Sequence, residues 1–228
     1  ILRLWQIGLR DFWYDEAYTG VVVRQSFAGI VQELVQDVHP PVYFFVTHVL
    51  AWPWQYSVIG IRLVSVLFGV LAVLMTYLIG KELFSRRAGL FAAFFAGIMP
   101  FTIQFSQEAR MYTMAAFFLL SATYCFIRAL RTEERWRWHV LWGLSLGLAC
   151  LTHYLSALFL PLFALGWFLL QPSLRSLRAW LPSWRWWSGV LVFAAICLPW
   201  LPSLSEQLLT RKEKTQWITP AIFADLFR

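Results

Sequence analysis

Charge is what this sequence has least of. Only 14% of its 228 residues are Asp, Glu, Lys or Arg, while 60% are hydrophobic and the mean hydropathy is +0.61. Soluble domains carry about a quarter charged residues, so this scarcity excludes an ordinary soluble fold and points to a chain embedded in a bilayer. Cysteine is sparse as well. Cys125, Cys150 and Cys197 all sit in apolar runs, which disfavours a disulfide framework or a thiolate metal site and favours small buried hydrophobes. Charge is missing from the middles of the apolar stretches, which argues against an ion-coupled transporter. There is no soluble basic domain and no repeat, so the net charge of +7 does not call for nucleic acid. The sequence opens at Ile1 without a Met or a charged leader and stops at Arg228. The expectation is a single transmembrane domain over 1–228, cut from a longer protein at both ends, with Ile1–Arg10 the tail of a first span rather than a signal peptide.

What is present is a series of apolar stretches near the roughly 20 residues a spanning helix needs. Ile59–Leu83, Ala88–Phe105, Met111–Leu130 and Trp187–Leu204 each read as one span. Trp138–Leu170 is too long for one and divides into two short spans at Thr152-His153-Tyr154. Pro41–Trp54 is apolar but short, and reads as re-entrant or interfacial. The predicted fold class is all-α, a polytopic transmembrane helix bundle. The connections Lys81–Arg87, Arg128–Arg137 and Arg175–Arg185 alternate with the others and so share a side. They hold ten of the nineteen bases but only three acids, Glu82, Glu133 and Glu134, so this side carries the whole net charge of +7. The positive-inside rule puts it in the cytoplasm. Asp15, Glu16, His39, Glu108, Arg110 and His153 then face outside. Tryptophans near span ends (Trp52, Trp54, Trp136, Trp138, Trp180, Trp184, Trp186, Trp187) fit an aromatic belt.

Residues 11–57 form the first extracytoplasmic loop. After Asp15-Glu16, Val23, Phe27, Ile30, Val31, Leu34, Val35 and Val38 recur at three- and four-residue steps, with Arg24, Gln25, Gln32, Glu33, Gln36 and Asp37 opposite. This predicts one amphipathic juxtamembrane helix lying in the interface, with the two carboxylates at its N-terminus, where the helix dipole favours them. Pro40 and Pro41 then set an extended entry and start a helix, leaving His39 at a rigid corner. The second outer connection, Ser106 to Tyr112, is so short that Glu108 and Arg110 stay close to the bilayer, where ionisable groups are costly and usually functional. An Arg there suits a phosphate, a carboxylate can act as a general base, and His153 lies at the next outer turn. Together these groups suit transfer from a phosphate-linked donor.

The ordered set Asp15-Glu16, His39-Pro40-Pro41-Val42-Tyr43-Phe44, Arg62-Leu63 and Ser106-Gln107-Glu108-Ala109-Arg110-Met111-Tyr112 resembles the polyprenyl-phosphate-sugar-dependent glycosyltransferases of the GT-C fold. Relatives there include protein O-mannosyltransferases and lipid A aminoarabinose transferases. The resemblance covers residues 11–155. It implies a multi-pass protein of the plasma (inner) membrane that moves a hexosyl or pentosyl unit, with inversion, to a glycan, lipid or protein of the cell envelope. It also implies Asp15 as the base or the acceptor-positioning carboxylate, Glu16 in support, and Arg110 with His39 at the donor phosphate, His39 standing where aminoarabinose enzymes carry a Lys. Glu108, Tyr112 and His153 are expected around the substrates. The implied partners are the polyprenyl-phosphate sugar and membrane lipid. Some relatives use a divalent metal and others none, and no metal ligands stand out here. The competing readings are a transporter and a non-catalytic assembly subunit. The latter would tie Asp15, Glu108 and Arg110 into mutual salt bridges with no cavity.

Overall fold

The axis of the molecule is α4 (Val58–Leu83), an apolar helix of 26 residues whose first turn is capped by the Ser57 hydroxyl accepting from the Gly60 amide. It belongs to a computed structural model that describes residues 1–131, 136–170 and 184–214. Glu133, Glu134, Arg135, Arg175, Arg178, Trp180 and the tail after Lys214 lie outside the described residues. Before α4 come three short helices, α1 (Tyr14–Val22), α2 (Phe27–Val35) and α3 (Val42–Ala51). After it come α5 (Arg86–Ile98), α6 (Pro100–Ser106), α7 (Tyr112–Arg131), α8 (Trp136–Thr152), α9 (Leu160–Leu170), α10 (Trp184–Cys197) and α11 (Leu201–Lys214). No strand occurs among the described residues. The protein is an all-α helical membrane bundle. Val58–Leu83, Tyr112–Arg131 and Trp184–Leu209 are each long and apolar enough to cross a bilayer, and α5 with α6 forms a fourth candidate. α7 packs on both α4 and α8, and α8 packs on α10.

The span expected over Ala88–Phe105 is not straight: α5 and α6 meet at 62°. Pro100 has no amide to donate and Met99 is extended (φ −59°, ψ 122°), so the ladder breaks. The carbonyls this frees would be costly in hydrocarbon. Arg3 takes them, donating to Gly97 O at 2.8 Å and Ala96 O at 3.1 Å, and its Nε reaches Ser106 Oγ at 3.0 Å. The expected break inside Trp138–Leu170 is present: α8 stops at Thr152 and a 3₁₀ turn, Tyr154–Phe159, leads into α9. α8 and α10 touch backbone to backbone. A Cβ on Gly143 would lie 1.9 Å from Gly189 O, and one on Gly189 2.4 Å from His139 O. Only glycine at both positions permits that approach. Trp186 stacks between Trp142 (4.5 Å) and Trp167 (4.3 Å).

The single amphipathic helix expected in the first loop is two helices. The chain leaves α1 at Val22, and Ser26 starts α2 by accepting from the Gly29 amide. Asp15 and Glu16 therefore sit in the first turn of α1 and not on α2 at all. Ile30 and Leu34 of α2 are fully buried with Val22, Val23, Tyr43, Phe44, Ile61 and Met114, whereas Phe27 and Val38, expected on the same face, are exposed. Each large side chain sunk here contributes about 1.5–3 kcal/mol where it would otherwise meet water. α3 has ten residues, too few to span, and buries Tyr43, Phe44 and Thr47.

Alternation of the helices gives the bundle two unlike ends. Glu82 at the end of α4 pairs with Arg128 and Arg131 at the end of α7. At the other end stand the start of α4, the turn between α6 and α7, and His153 after α8, all close to α1 and α2.

Candidate active site

Glu16 and Arg62 form the fixed part of this end. Arg62 is one turn into α4, buried, and all five of its N–H groups have an acceptor in reach. Its Nε donates to Glu16 Oε1 at 2.9 Å and its Nη2 to Glu16 Oε2 at 2.7 Å. The rest go to the carbonyls of Ile7 (2.8 Å), Arg10 (2.8 Å) and Asp11 (3.2 Å). Glu16 is 1% exposed and also accepts from the amides of Ala109 (2.6 Å) and Trp13 (3.4 Å). One carboxylate thus binds α1 to α4 and pins the turn before α7. With its oxygens held in this way, Glu16 stands as a support.

Asp15 turns the other way and is half-exposed. Its Oδ2 lies 3.7 Å from Nη2 of Arg110. Arg110 is buried, its Nη1 reaches Asp15 O at 3.3 Å, and its Nη2 donates to His39 Nε2 at 3.0 Å. The Nε of Arg110 is buried and has no hydrogen-bond partner among the described residues. Because His39 Nε2 accepts from a guanidinium, the ring proton is on Nδ1, which donates to Asp37 Oδ2. Burial alone would raise the Asp37 carboxyl, but the hydrogen bonds it accepts from His39, the Val38 amide and Tyr18 outweigh it and hold the group below the usual value. The Tyr18 ring stands 6.0 Å from His39, and its phenol is pushed up by burial and then by the Asp37 charge.

His39, Arg110 and His153 line one cavity of about 440 Å³ together with Tyr154 and Gln207, a size in the range of small-molecule sites. His153 accepts from the Leu155 amide through Nδ1 at 3.2 Å. Burial, and then the nearby positive charge of Arg110, lower its pKa. Gln207 in α11 donates to Leu34 O at 2.7 Å and His39 O at 3.4 Å, and accepts from Tyr154 OH at 2.6 Å, which in turn accepts from Trp200 Nε1 at 2.8 Å. An apolar cavity of about 320 Å³ adjoins this one, sharing Tyr154 and Leu204.

The sequence grouped Glu108 with Arg110, and the structure separates them. The Arg110 amide closes a tight turn onto Glu108 O at 2.8 Å. Glu108 then borders a different, larger cavity of about 810 Å³ with Glu16 and Arg62. Tyr112 packs on Phe105 (4.8 Å) and His153 (6.0 Å) and lines an apolar cavity between α4, α6 and α7. Asp15, His39, Arg110 and His153 are therefore together, Tyr112 touches the group through His153, and Glu108 stands apart. Asp37, Tyr18 and Gln207 were missed. Asp37 had a signal, being two residues from His39, but a lone neutral amide in the last span has none. No cluster of three or more His, Cys, Asp or Glu suited to a metal occurs among the described residues. Cys125, Cys150 and Cys197 are free thiols.

A family model described as dolichyl-phosphate-mannose-protein mannosyltransferase matches residues 38–202, which contain His39, Arg62, Arg110 and His153. The chain belongs to that family. It is a membrane glycosyltransferase of the GT-C type. No curated protein and no solved structure matches it. In this mannosyltransferase-family chain the matched region begins after Asp15 and Glu16, so the carboxylate pair rests on the geometry above.

Proposed function

We propose that the protein transfers a sugar from a polyprenyl-phosphate donor to a cell-envelope acceptor on the outer face of the membrane, with inversion at the anomeric carbon. The observation that carries this reading is Arg110. It is a buried cation that lines a cavity with two histidines, its Nη2 3.7 Å from a half-exposed carboxylate. A salt-bridged scaffold would tie Glu108 to Arg110 as well and leave no cavity, whereas here Glu108 borders a separate cavity and Arg110 lines one with both histidines. The donor phosphate meets Arg110, with His39 and His153 beside it, and the adjoining apolar cavity takes the first isoprene units. Asp15 accepts the acceptor's hydroxyl proton. The acceptor oxygen bonds to the anomeric carbon, and the bond from that carbon to the phosphate oxygen breaks. Its electron pair leaves on the phosphate, whose growing charge Arg110 stabilises. Glu16 holds Asp15 and the Arg110 turn in register. The concentration of basic residues at the opposite end supports an outward-facing site in the plasma membrane.

The test is transfer or release of sugar from polyprenyl-phosphate hexoses and pentoses by the full-length protein. Asp15→Asn and Arg110→Ala are each expected to lower the rate by about 10²-fold or more. Asp15→Asn should lower the melting temperature far less than Glu16→Gln, since Asp15 is half-exposed and takes no part in the Glu16–Arg62 bonds. Wild-type rates in both variants would sink the reading.

A further inference from the structure

We propose that Asp37 is a positioning residue of the transfer: by fixing the tautomer of His39 it holds the Arg110 guanidinium off the Asp15 carboxylate. The proposal rests on the reading above and deepens it. An arginine beside a carboxylate ordinarily closes on it, with N–O distances of about 2.7–2.9 Å. Here Nη2 of Arg110 stays 3.7 Å from Asp15 Oδ2 and lies 3.0 Å from His39 Nε2 instead. A closed pair would occupy the base and the phosphate cation with one another. A neutral nitrogen that accepts from Nη2 keeps both available.

The ring can do this in one tautomer only. A guanidinium always donates, so Nε2 must present a lone pair and the ring proton must sit on Nδ1. Asp37 imposes that arrangement, since an ionised carboxylate only accepts and its Oδ2 is bonded to Nδ1. The hydrogen bonds that hold the Asp37 carboxyl below its usual value keep it ionised at neutral pH. Without that carboxylate the ring is free to carry its proton on Nε2. The N–H would then face the guanidinium and release Nη2 toward Asp15. The corner keeps the ring from turning away. Pro40 and Pro41 stiffen its backbone, and Tyr18 and Phe44 flank the ring with centroids at 6.0 Å. Gln207 Nε2 donates to His39 O at 3.4 Å. Both ring nitrogens are thus engaged within the protein, and His39 has no N–H left for the phosphate. It acts through Arg110, as Asp37 acts through it.

The experiment uses full-length protein in nanodiscs with short-chain polyprenyl-phosphate hexoses and pentoses as donors. Isotope-labelled histidine gives ring-nitrogen NMR spectra, the His39 signals being those lost in His39→Gln. Wild type is expected to show His39 with its proton on Nδ1, and Asp37→Leu to show it on Nε2. Asp37→Leu should lower kcat/KM for the donor by about tenfold or more, as loss of a group that orients a histidine does elsewhere. His39→Phe, a ring without an acceptor, should lose as much. In His39→Gln an amide oxygen stands in for Nε2 and has no tautomer to set. Adding Asp37→Leu to that background should therefore cost less than about twofold. A purely structural role for Asp37 would give the full loss in both backgrounds, and that result overturns the proposal. So does a wild-type His39 protonated on Nε2. Transfer that needs Asp15 and Arg110 but runs at the wild-type rate in Asp37→Leu overturns this proposal alone. No transfer from any donor brings down the reading above as well.

Discussion

Asp15 and Glu16 are neighbours, yet one step along a helix turns a side chain by about 100°, and that rotation separates their roles. Glu16 meets Arg62 and loses its water, and Asp15 keeps its exposure beside Arg110. Removing one partner of a buried pair leaves the other uncompensated, typically at 3–5 kcal/mol. Glu16→Gln is therefore expected to lower the melting temperature far more than Asp15→Asn, as read by thermal unfolding in detergent. Equal melting temperatures would contradict the supporting role of Glu16. That the two acids matter was legible from sequence, as a polar pair in an apolar chain. Which one is buried was not, because the deciding guanidinium is 46 positions away. His153 gives a pH prediction. Its folded pKa lies below the usual 6.5, because burial and then nearby positive charge favour the neutral ring. Between that lowered value and about 6.5 the unfolded chain binds a proton that the folded chain does not, so stability falls as pH drops through this window. His153→Gln should flatten that part of a melting-temperature–pH curve, and an unaltered slope would exclude His153 as its source.

At the scale of the element, length and apolarity were enough to place most spans, because hydrocarbon thickness dictates both. The bend at Met99–Pro100 was hidden because the residues around it remain apolar, and hydropathy does not register a lost amide. What holds the bend, Arg3, comes from a segment that local pattern cannot connect to it. The division of the first loop into α1 and α2 did leave a trace in Ser26, a good cap, but the spacing of apolar residues runs on across it. The α8–α10 contact depends on two glycines. Gly189→Val would press a side chain onto His139 O, where a Cβ already falls at 2.4 Å. Overpacking of this kind costs about 1–3 kcal/mol, so the variant should melt earlier and expose Trp186 to fluorescence quenching by iodide. A Gly189→Val protein with wild-type melting and quenching would show that the two helices separate easily.

Across the whole molecule, the polar chemistry is gathered at one end and the paired arginines of α7 at the other, with apolar surface between. The cluster was legible as a list of residues sharing a side, but its division into two chambers was not. That division depends on a tight turn placing Glu108 and Arg110 apart. Gln207 joins the last helix to this end through Leu34 O, His39 O and Tyr154 OH. Gln207→Leu leaves those groups unpaired at about 1–3 kcal/mol. It should lower the melting temperature and raise the donor KM, and a variant matching wild type in both would remove the link from the site. The same link has a consequence for biogenesis. The amide that closes on His39 lies 168 positions later in the chain, and at about 5–20 residues per second it leaves the ribosome roughly 10–30 s afterwards. In the later part of that interval, once Arg110 has emerged, the nascent protein carries its carboxylates and its arginine, but the last latch on the His39 corner has yet to be synthesised.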